Sequence, residues 1–210
     1  MPPIDELIRA FVTLFVIIDP IGTVPIYLSL AGSFALKAQR SIILWALFFM
    51  STILFSTALF GNALLERLSI SRDAFAIAGG IFLFWTAFEM LFEKREKRKR
   101  KATISQNWSK TELRAIAITP LTIPLLAGPG TISATIILSS NTSSLSDKLY
   151  LMLVIAIVIS VAGFLLFMGS LLSKYIDDTF RIFISRVMGL ILGALAVQMI
   201  INAITAVVTS

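Results

Sequence analysis

The fold is decided by two short stretches, Asp19-Pro20-Ile21-Gly22-Thr23 and Gly128-Pro129-Gly130-Thr131. Each stretch interrupts a hydrophobic run that is long enough to cross a bilayer. Proline lacks an amide hydrogen and collides with the preceding helical turn, and glycine weakens a helix interior, so each stretch should end one helix and begin another. An unwound turn is tolerated in lipid only where protein or a wet cavity covers it. Two broken segments in matching positions point to a transporter binding site.

Composition places the chain in a membrane. It has 210 residues, of which 57% are hydrophobic, and its mean hydropathy is +0.92. The sequence contains no cysteine and no histidine. Disulfides, thiol chemistry and an imidazole proton relay are therefore excluded, as are haem, copper and zinc sites that use these side chains. These absences argue against most membrane metalloenzymes, and we expect no metal site.

We predict an all-α integral membrane protein with six transmembrane helices, of which helices 1 and 4 are discontinuous. Polar loops separate the predicted segments at 93–110, 141–147 and 174–181. The six segments are Ile4 to Ala31, Ser41 to Leu65, Asp73 to Phe92, Glu112 to Ser140, Lys148 to Ser173 and Ile182 to Val208.

The net charge of +6 comes from one run, residues 94–101, which holds seven basic residues and one acidic residue. A basic cluster beside a hydrophobic helix predicts that loop 94–110 is cytoplasmic and that both termini lie outside. The run should also contact anionic lipid headgroups of the bilayer. It contains no aromatic residues, so we do not expect a nucleic-acid partner.

The two halves of the chain resemble each other. Pro20 and Pro129, the prolines of the two breaks, are 109 residues apart. The same offset pairs residues in helices 3 and 6: Gly80 with Gly189, Leu83 with Leu192, Ala87 with Ala196, Glu89 with Gln198 and Met90 with Met199. We predict a first three-helix repeat at 1–93 and a second repeat at 111–210. Because each repeat has an odd number of helices, the second enters the membrane with the opposite orientation. The alternative is coincidence among the glycine, alanine and leucine residues of membrane helices.

Asp19 has two interpretations. An acidic residue followed by Pro20 is typical of a helix N-cap with proline at the first helical position, which is a structural role. A carboxylate at this depth costs about 2.5–3.5 kcal/mol on insertion scales, so it also suggests a cation-binding role toward a substrate ammonium, Na⁺ or H⁺. A cap can face a cavity, so the two roles are compatible.

The second break has Gly128 where the first has Asp19, so it has no acid. The half-helix that begins at Pro129 should present free amides and the positive end of its dipole, which suits a carboxylate. A zwitterion such as an amino acid would fit between the two breaks. The predicted substrate-binding residues are Asp19, Pro20, Gly22, Thr23, Gly128, Pro129, Gly130, Thr131 and Ser133. The alternative is that the small residues only let helices pack closely.

Glu89 is a second candidate for ion coupling. It lies about 24 Å along the helix from Asp73, near the predicted cytoplasmic interface, where a long side chain reaches water easily. A solvated structural role is the alternative.

Three stretches carry a resemblance to a known family. The segments 15–26 (FVIIDPIGTVPI), 120–133 (PLTIPLLAGPGTIS) and 187–192 (VMGLIL) resemble the first, fourth and sixth helices of the MarC/SnatA family. Thr23 stands where an asparagine is common in that family. The resemblance implies a six-helix protein of the prokaryotic inner membrane that transports small neutral amino acids such as alanine or glycine, with export proposed for some members.

Three classes of function follow from these observations. The first is a secondary transporter that works by alternating access, with H⁺ or Na⁺ as candidate coupling ions and no other cofactor. The second is a passive channel for a small polar solute or ion, although the polar residues cluster at the breaks. The third is a membrane enzyme, and no spacing of Asp19, Glu89 and hydroxyl groups supports a catalytic set. We expect the protein not to be an enzyme.

Overall fold

A computed structural model describes residues 4–32, 34–92, 110–140, 142, 144–172 and 178–209. All regular secondary structure in these ranges is helical. The elements are α1 (Ile4–Ile18), α2 (Pro20–Ala31), α3 (Leu36–Arg67), α4 (Arg72–Leu91), α5 (Lys110–Ile116), a π-helical segment (Ala117–Leu126), α6 (Pro129–Ser140), α7 (Leu145–Leu172) and α8 (Asp178–Thr209). The basic run at 94–101 lies outside the described residues, as does nearly all of the predicted loop 94–110.

Five stretches in the described residues are long and apolar enough to span a membrane, and there is in addition one shorter apolar helix. The spans are Ile4–Leu28, Leu36–Arg67, Arg72–Leu91, Leu145–Leu171 and Ile182–Thr209, and the shorter helix is Leu113–Ile123. The predicted fourth segment, Glu112 to Ser140, is divided among α5, the π-helical segment and α6. Each of these pieces is too short to span a bilayer by itself.

The π-helical segment lies directly before the second break. The Ala127 amide donates to the Thr122 carbonyl at 2.9 Å, five residues back. Pro120 and Pro124 fall in this segment and have no amide hydrogen, so neither can donate a helical hydrogen bond. The Thr122 hydroxyl donates to the carbonyls of Ala117 at 2.7 Å and Ala46 at 3.3 Å. The bond to Ala46 connects the π-helical segment to α3.

Helix α7 begins earlier than predicted. The Ser144 hydroxyl accepts from the Asp147 amide at 3.1 Å, and the Asp147 carboxylate accepts from the Ser144 amide at 3.1 Å. This is a reciprocal capping box, so the helix begins at Leu145 rather than at Lys148. The predicted loop at 141–147 is correspondingly too long at its end.

Helices α4 and α8 pack against each other more extensively than any other described pair. A β-carbon placed on Gly80 would lie 3.0 Å from the Ala196 carbonyl oxygen, and one placed on Gly189 would lie 3.1 Å from the Ala87 carbonyl oxygen. The two contacts are reciprocal and show that the helices run antiparallel. Small residues let these two backbones approach closely, as is common between membrane helices.

The two broken segments also pack against each other. Helix α1 contacts α6, and α2 contacts the π-helical segment. The helix before the first break thus contacts the helix after the second break, and the helix after the first break contacts the segment before the second. Antiparallel segments with breaks at a similar depth would pack in this way.

Candidate functional site

Asp19 forms the first break between α1 and α2. Its backbone is left-handed, with φ 49° and ψ 59°, a conformation that aspartate tolerates better than most residues. Its carboxylate accepts a hydrogen bond from the Gly22 amide at 3.0 Å. The residue is only 5% exposed. The N-cap interpretation is therefore confirmed, whereas the cation-binding interpretation stays a prediction.

Gly22 leaves room for the cap. A β-carbon here would collide with the Asp19 carboxylate and would lie 2.7 Å from the terminal methyl carbon of Met90 on α4. Any larger residue at position 22 would therefore displace the Asp19 carboxylate and the end of the Met90 side chain. Thr23, the next residue, is 3% exposed and its amide donates to the Asp19 carbonyl at 2.9 Å.

The second break has no side-chain cap, since Gly128 stands where the first break has a carboxylate. The first helical hydrogen bond of α6 runs from the Ile132 amide to the Gly128 carbonyl at 3.0 Å. The amides of Gly130 and Thr131 come too early in the helix to find a helical acceptor. No described backbone carbonyl accepts a hydrogen bond from either amide. Within the described backbone the buried start of α6 therefore has two amides without a carbonyl acceptor, and its dipole adds a partial positive charge.

One face of α4 covers both breaks. A β-carbon on Gly130 would lie 3.0 Å from a methyl carbon of Leu83, and one on Gly22 would lie 2.7 Å from the Met90 methyl. Leu83 and Met90 are seven residues apart, so they share a helix face and are separated by about 10 Å along the axis. Both side chains are buried. The two breaks therefore lie close together against a single apolar wall.

The predicted hydroxyl residues are buried near the breaks. Thr131 is 2% exposed and Ser133 is 1% exposed. The Ser133 hydroxyl donates to the Phe75 carbonyl at 3.3 Å, and its side chain fills the space where Gly79 lacks a β-carbon. Ser133 thus joins α6 to α4, which is a packing role. Pro129, another predicted site residue, is exposed.

A cavity of about 380 Å³ lies between α4, α6 and α8. Its lining combines charged and amide groups with apolar ones: Arg72, Asp73, Ala76, Ile137, Ser140, Met199, Asn202 and Ala203. The Met199 methyl would lie 3.0 Å from a β-carbon on Gly79, which itself packs on Ser133. The lining residue of α6 nearest the second break is Ile137, about two helical turns beyond Gly130.

The coupling role of Glu89 stays a prediction. This residue is half-buried on α4, two residues before the end of that helix. Its offset partner Gln198 is exposed and donates to the Asn202 side chain at 2.7 Å. Among the described residues, no group of three or more acidic side chains could hold a metal ion.

The sequence does not predict Leu83 or Met90 as site residues, although both touch a break. Each is an ordinary apolar residue on a membrane helix, so its type carries no signal. The signal that the sequence does contain is positional, because both belong to the pairs related by the 109-residue offset.

Comparison with known proteins agrees with the membrane architecture. Residues 4–208 match the MarC family, described as MarC family integral membrane proteins. A UPF0056 membrane protein of Methanocaldococcus jannaschii is 36% identical over 202 residues, which is 96% of this chain and 97% of that protein. The UPF0056 membrane protein YvbG of Bacillus subtilis is 32% identical over 92% of both chains. YhcE of Escherichia coli, another UPF0056 membrane protein, is 32% identical over 93% of this chain and 90% of its own length. No solved structure matches the chain.

Proposed function

Because the chain belongs to the MarC family of multi-pass integral membrane proteins, we propose that it is a secondary transporter of small neutral amino acids such as alanine or glycine. It acts as an exporter or exchanger in the prokaryotic inner membrane and works by alternating access. The substrate is held between the two helix breaks.

The observation that carries this proposal is the contrast between the two breaks on one face of α4. The first offers the buried Asp19 carboxylate, and the second offers the amides of Gly130 and Thr131, from which no described backbone carbonyl accepts a hydrogen bond. An ammonium group suits the first and a carboxylate suits the second. The proposed substrate-binding residues are those predicted from the sequence, except the exposed Pro129 and Ser133, whose side chain packs against α4. Leu83 and Met90 form the apolar wall.

Two inverted repeats, residues 1–93 and 111–210, form the transporter, so that α4 and α8 are equivalent helices. The reciprocal contacts of Gly80 with Ala196 and of Gly189 with Ala87 support this symmetry. Under the 109-residue offset each contact maps onto the other. Inverted repeats of this kind rock against one another around a fixed site. Loop 94–110 is cytoplasmic and both termini lie outside.

The cavity between α4, α6 and α8 gives the substrate its outer approach. Its polar residues lie at the end of α4 that begins at Arg72, and Ile137 of its lining lies about two turns beyond Gly130. In this proposal Met199, which packs near Gly79 and Ser133, separates the cavity from the site.

The test is counterflow of radiolabelled alanine in proteoliposomes of the purified full chain, with and without imposed H⁺ and Na⁺ gradients. We expect saturable uptake that is accelerated by unlabelled alanine inside the vesicles, which a carrier produces and a channel does not. A dependence on one gradient would identify the coupling ion.

Two outcomes would contradict the proposal. Flux that rises linearly with alanine concentration and shows no counterflow would indicate a passive channel. Absence of flux for alanine, glycine and other small zwitterions, from protein that is shown to be folded, would remove amino-acid transport altogether.

A further inference from the structure

A groove of about 960 Å³ runs along one face of α3, at the end of that helix that follows α2. Its lining residues recur at helical spacing: Leu36, Lys37, Arg40, Ser41, Leu44, Trp45 and Phe48. Cationic and hydroxyl groups occupy the first two turns of the groove, and apolar groups occupy the next two. The groove therefore changes from cationic to apolar over about 18 Å of helix.

Arg114 on α5 adds a third cation beside Trp45, where the apolar part of the groove begins. Its guanidinium carbon lies 4.1 Å above the Trp45 ring centroid, and that of Arg40 lies 5.2 Å above the ring of Phe167 on α7. A guanidinium held over an aromatic ring can still bind an anion through its in-plane N–H donors. No described residue that lines the groove is acidic.

We propose that this groove binds one phospholipid with an anionic headgroup. Lys37, Arg40 and Arg114 hold the phosphate, and an acyl chain lies along Leu44 and Phe48, both of which are exposed. A graded polarity of this kind fits a lipid better than a soluble anion or a protein segment. The site is separate from the helix breaks and does not depend on the proposed transport function.

The position of the groove agrees with this occupant. Arg114 follows closely on the strongly basic run at 94–101, so the cationic end belongs to the leaflet where basic residues accumulate. Anionic lipids are enriched in that leaflet, and each nearby Lys or Arg favours them.

The test is native mass spectrometry of the full chain in detergent, titrated with phosphatidylglycerol or phosphatidylcholine of the same acyl chains. We expect one phosphatidylglycerol to bind more tightly than phosphatidylcholine. Arg40→Gln and Arg114→Gln should each weaken phosphatidylglycerol binding about fivefold, since each removes one nearby cation. The matched control pair is Arg67→Gln and Lys148→Gln, which should leave the affinity unchanged.

Further measurements distinguish a bound lipid from a soluble phosphate and locate the binding site in the groove. Leu44→Gln should weaken lipid binding, and glycerol 3-phosphate should not compete. Neutralising the run 94–101 should leave the difference between wild type and Arg40→Gln intact. Equal affinity for the two lipids, equal loss in the control pair, or displacement by glycerol 3-phosphate would overturn the proposal.

Discussion

The Asp19 carboxylate and the Gly22 amide are joined by a 3.0 Å hydrogen bond across the first turn of α2. This bond needs an oxygen acceptor but not a charge, because asparagine caps a helix about as well as aspartate. Substitutions at Asp19 can therefore separate the role of the cap from the role of the charge.

Asp19→Asn should fold with nearly the wild-type stability, because asparagine also caps a helix. Its rate of saturable alanine transport should fall at least about tenfold, since the substrate ammonium loses its counter-ion and a hydrogen bond to a charged group contributes about 1.5–3 kcal/mol. Asp19→Ala should lose transport and also about 0.5–2 kcal/mol of unfolding free energy, because the Gly22 amide loses its acceptor. Thermal unfolding in detergent and proteoliposome flux measure the two effects. Full transport by Asp19→Asn would rule out a role for the charge in transport.

Gly130→Ala should destabilise the second break. The added methyl group collides with Leu83, and overpacking of this kind costs about 1–3 kcal/mol. Leu83→Ala in the same chain should recover part of this loss by removing the collision. A double-mutant cycle on the unfolding midpoint would measure the coupling. Strict additivity would show that Leu83 does not cover the break.

Alanine substitutions at three glycines should destabilise the α4–α8 interface in a defined order. A β-carbon on Gly80 would lie 2.6 Å from Ile200, one on Gly189 would lie 3.1 Å from the nearest atom, and one on Gly193 would lie 3.6 Å from the nearest atom. Gly80→Ala should therefore lose the most stability and Gly189→Ala less. Gly193→Ala should be neutral or stabilising, because alanine favours helix by up to about 1 kcal/mol. A different order in thermal unfolding would contradict this packing.

Thr122→Val should loosen the π-helical segment from α3. It removes the hydroxyl that donates to Ala117 and Ala46, and interhelical bonds of this kind contribute about 0.6 kcal/mol in membranes, with a maximum of about 1.7. Thr52→Val is the matched control, because the exposed Thr52 hydroxyl bonds only within its own helix, to the Phe48 carbonyl. Equal losses for the two variants would show that the contact with α3 does not matter.

The breaks themselves can be predicted from the sequence, because their causes are local. Asp19 caps the helix that Pro20 begins, and the glycines around Pro129 end the preceding segment and start α6. These effects act over three or four residues, so a single sequence is enough to locate them. The buried state of Thr23 and Thr131 also agrees with their position beside the breaks.

Features that depend on partners distant in sequence were not predictable in the same way. The π-helical segment is held by a bond from Thr122 to Ala46, 76 residues away. The wall formed by Leu83 and Met90 depends on how α4 packs across both halves. The start of α7 is an exception, because Ser144 and Asp147 form a local capping box that the sequence contains.

The short span between Asp19 and Gly22 bears on how the nascent chain enters the bilayer. A bare carboxylate would oppose release from the translocon by about 2.5–3.5 kcal/mol. Its donor is three residues away, so the bond forms as soon as this turn has coiled, before any later helix exists. A hydrogen bond to a charged group contributes about 1.5–3 kcal/mol, so the first segment offsets much of the cost of its own buried acid.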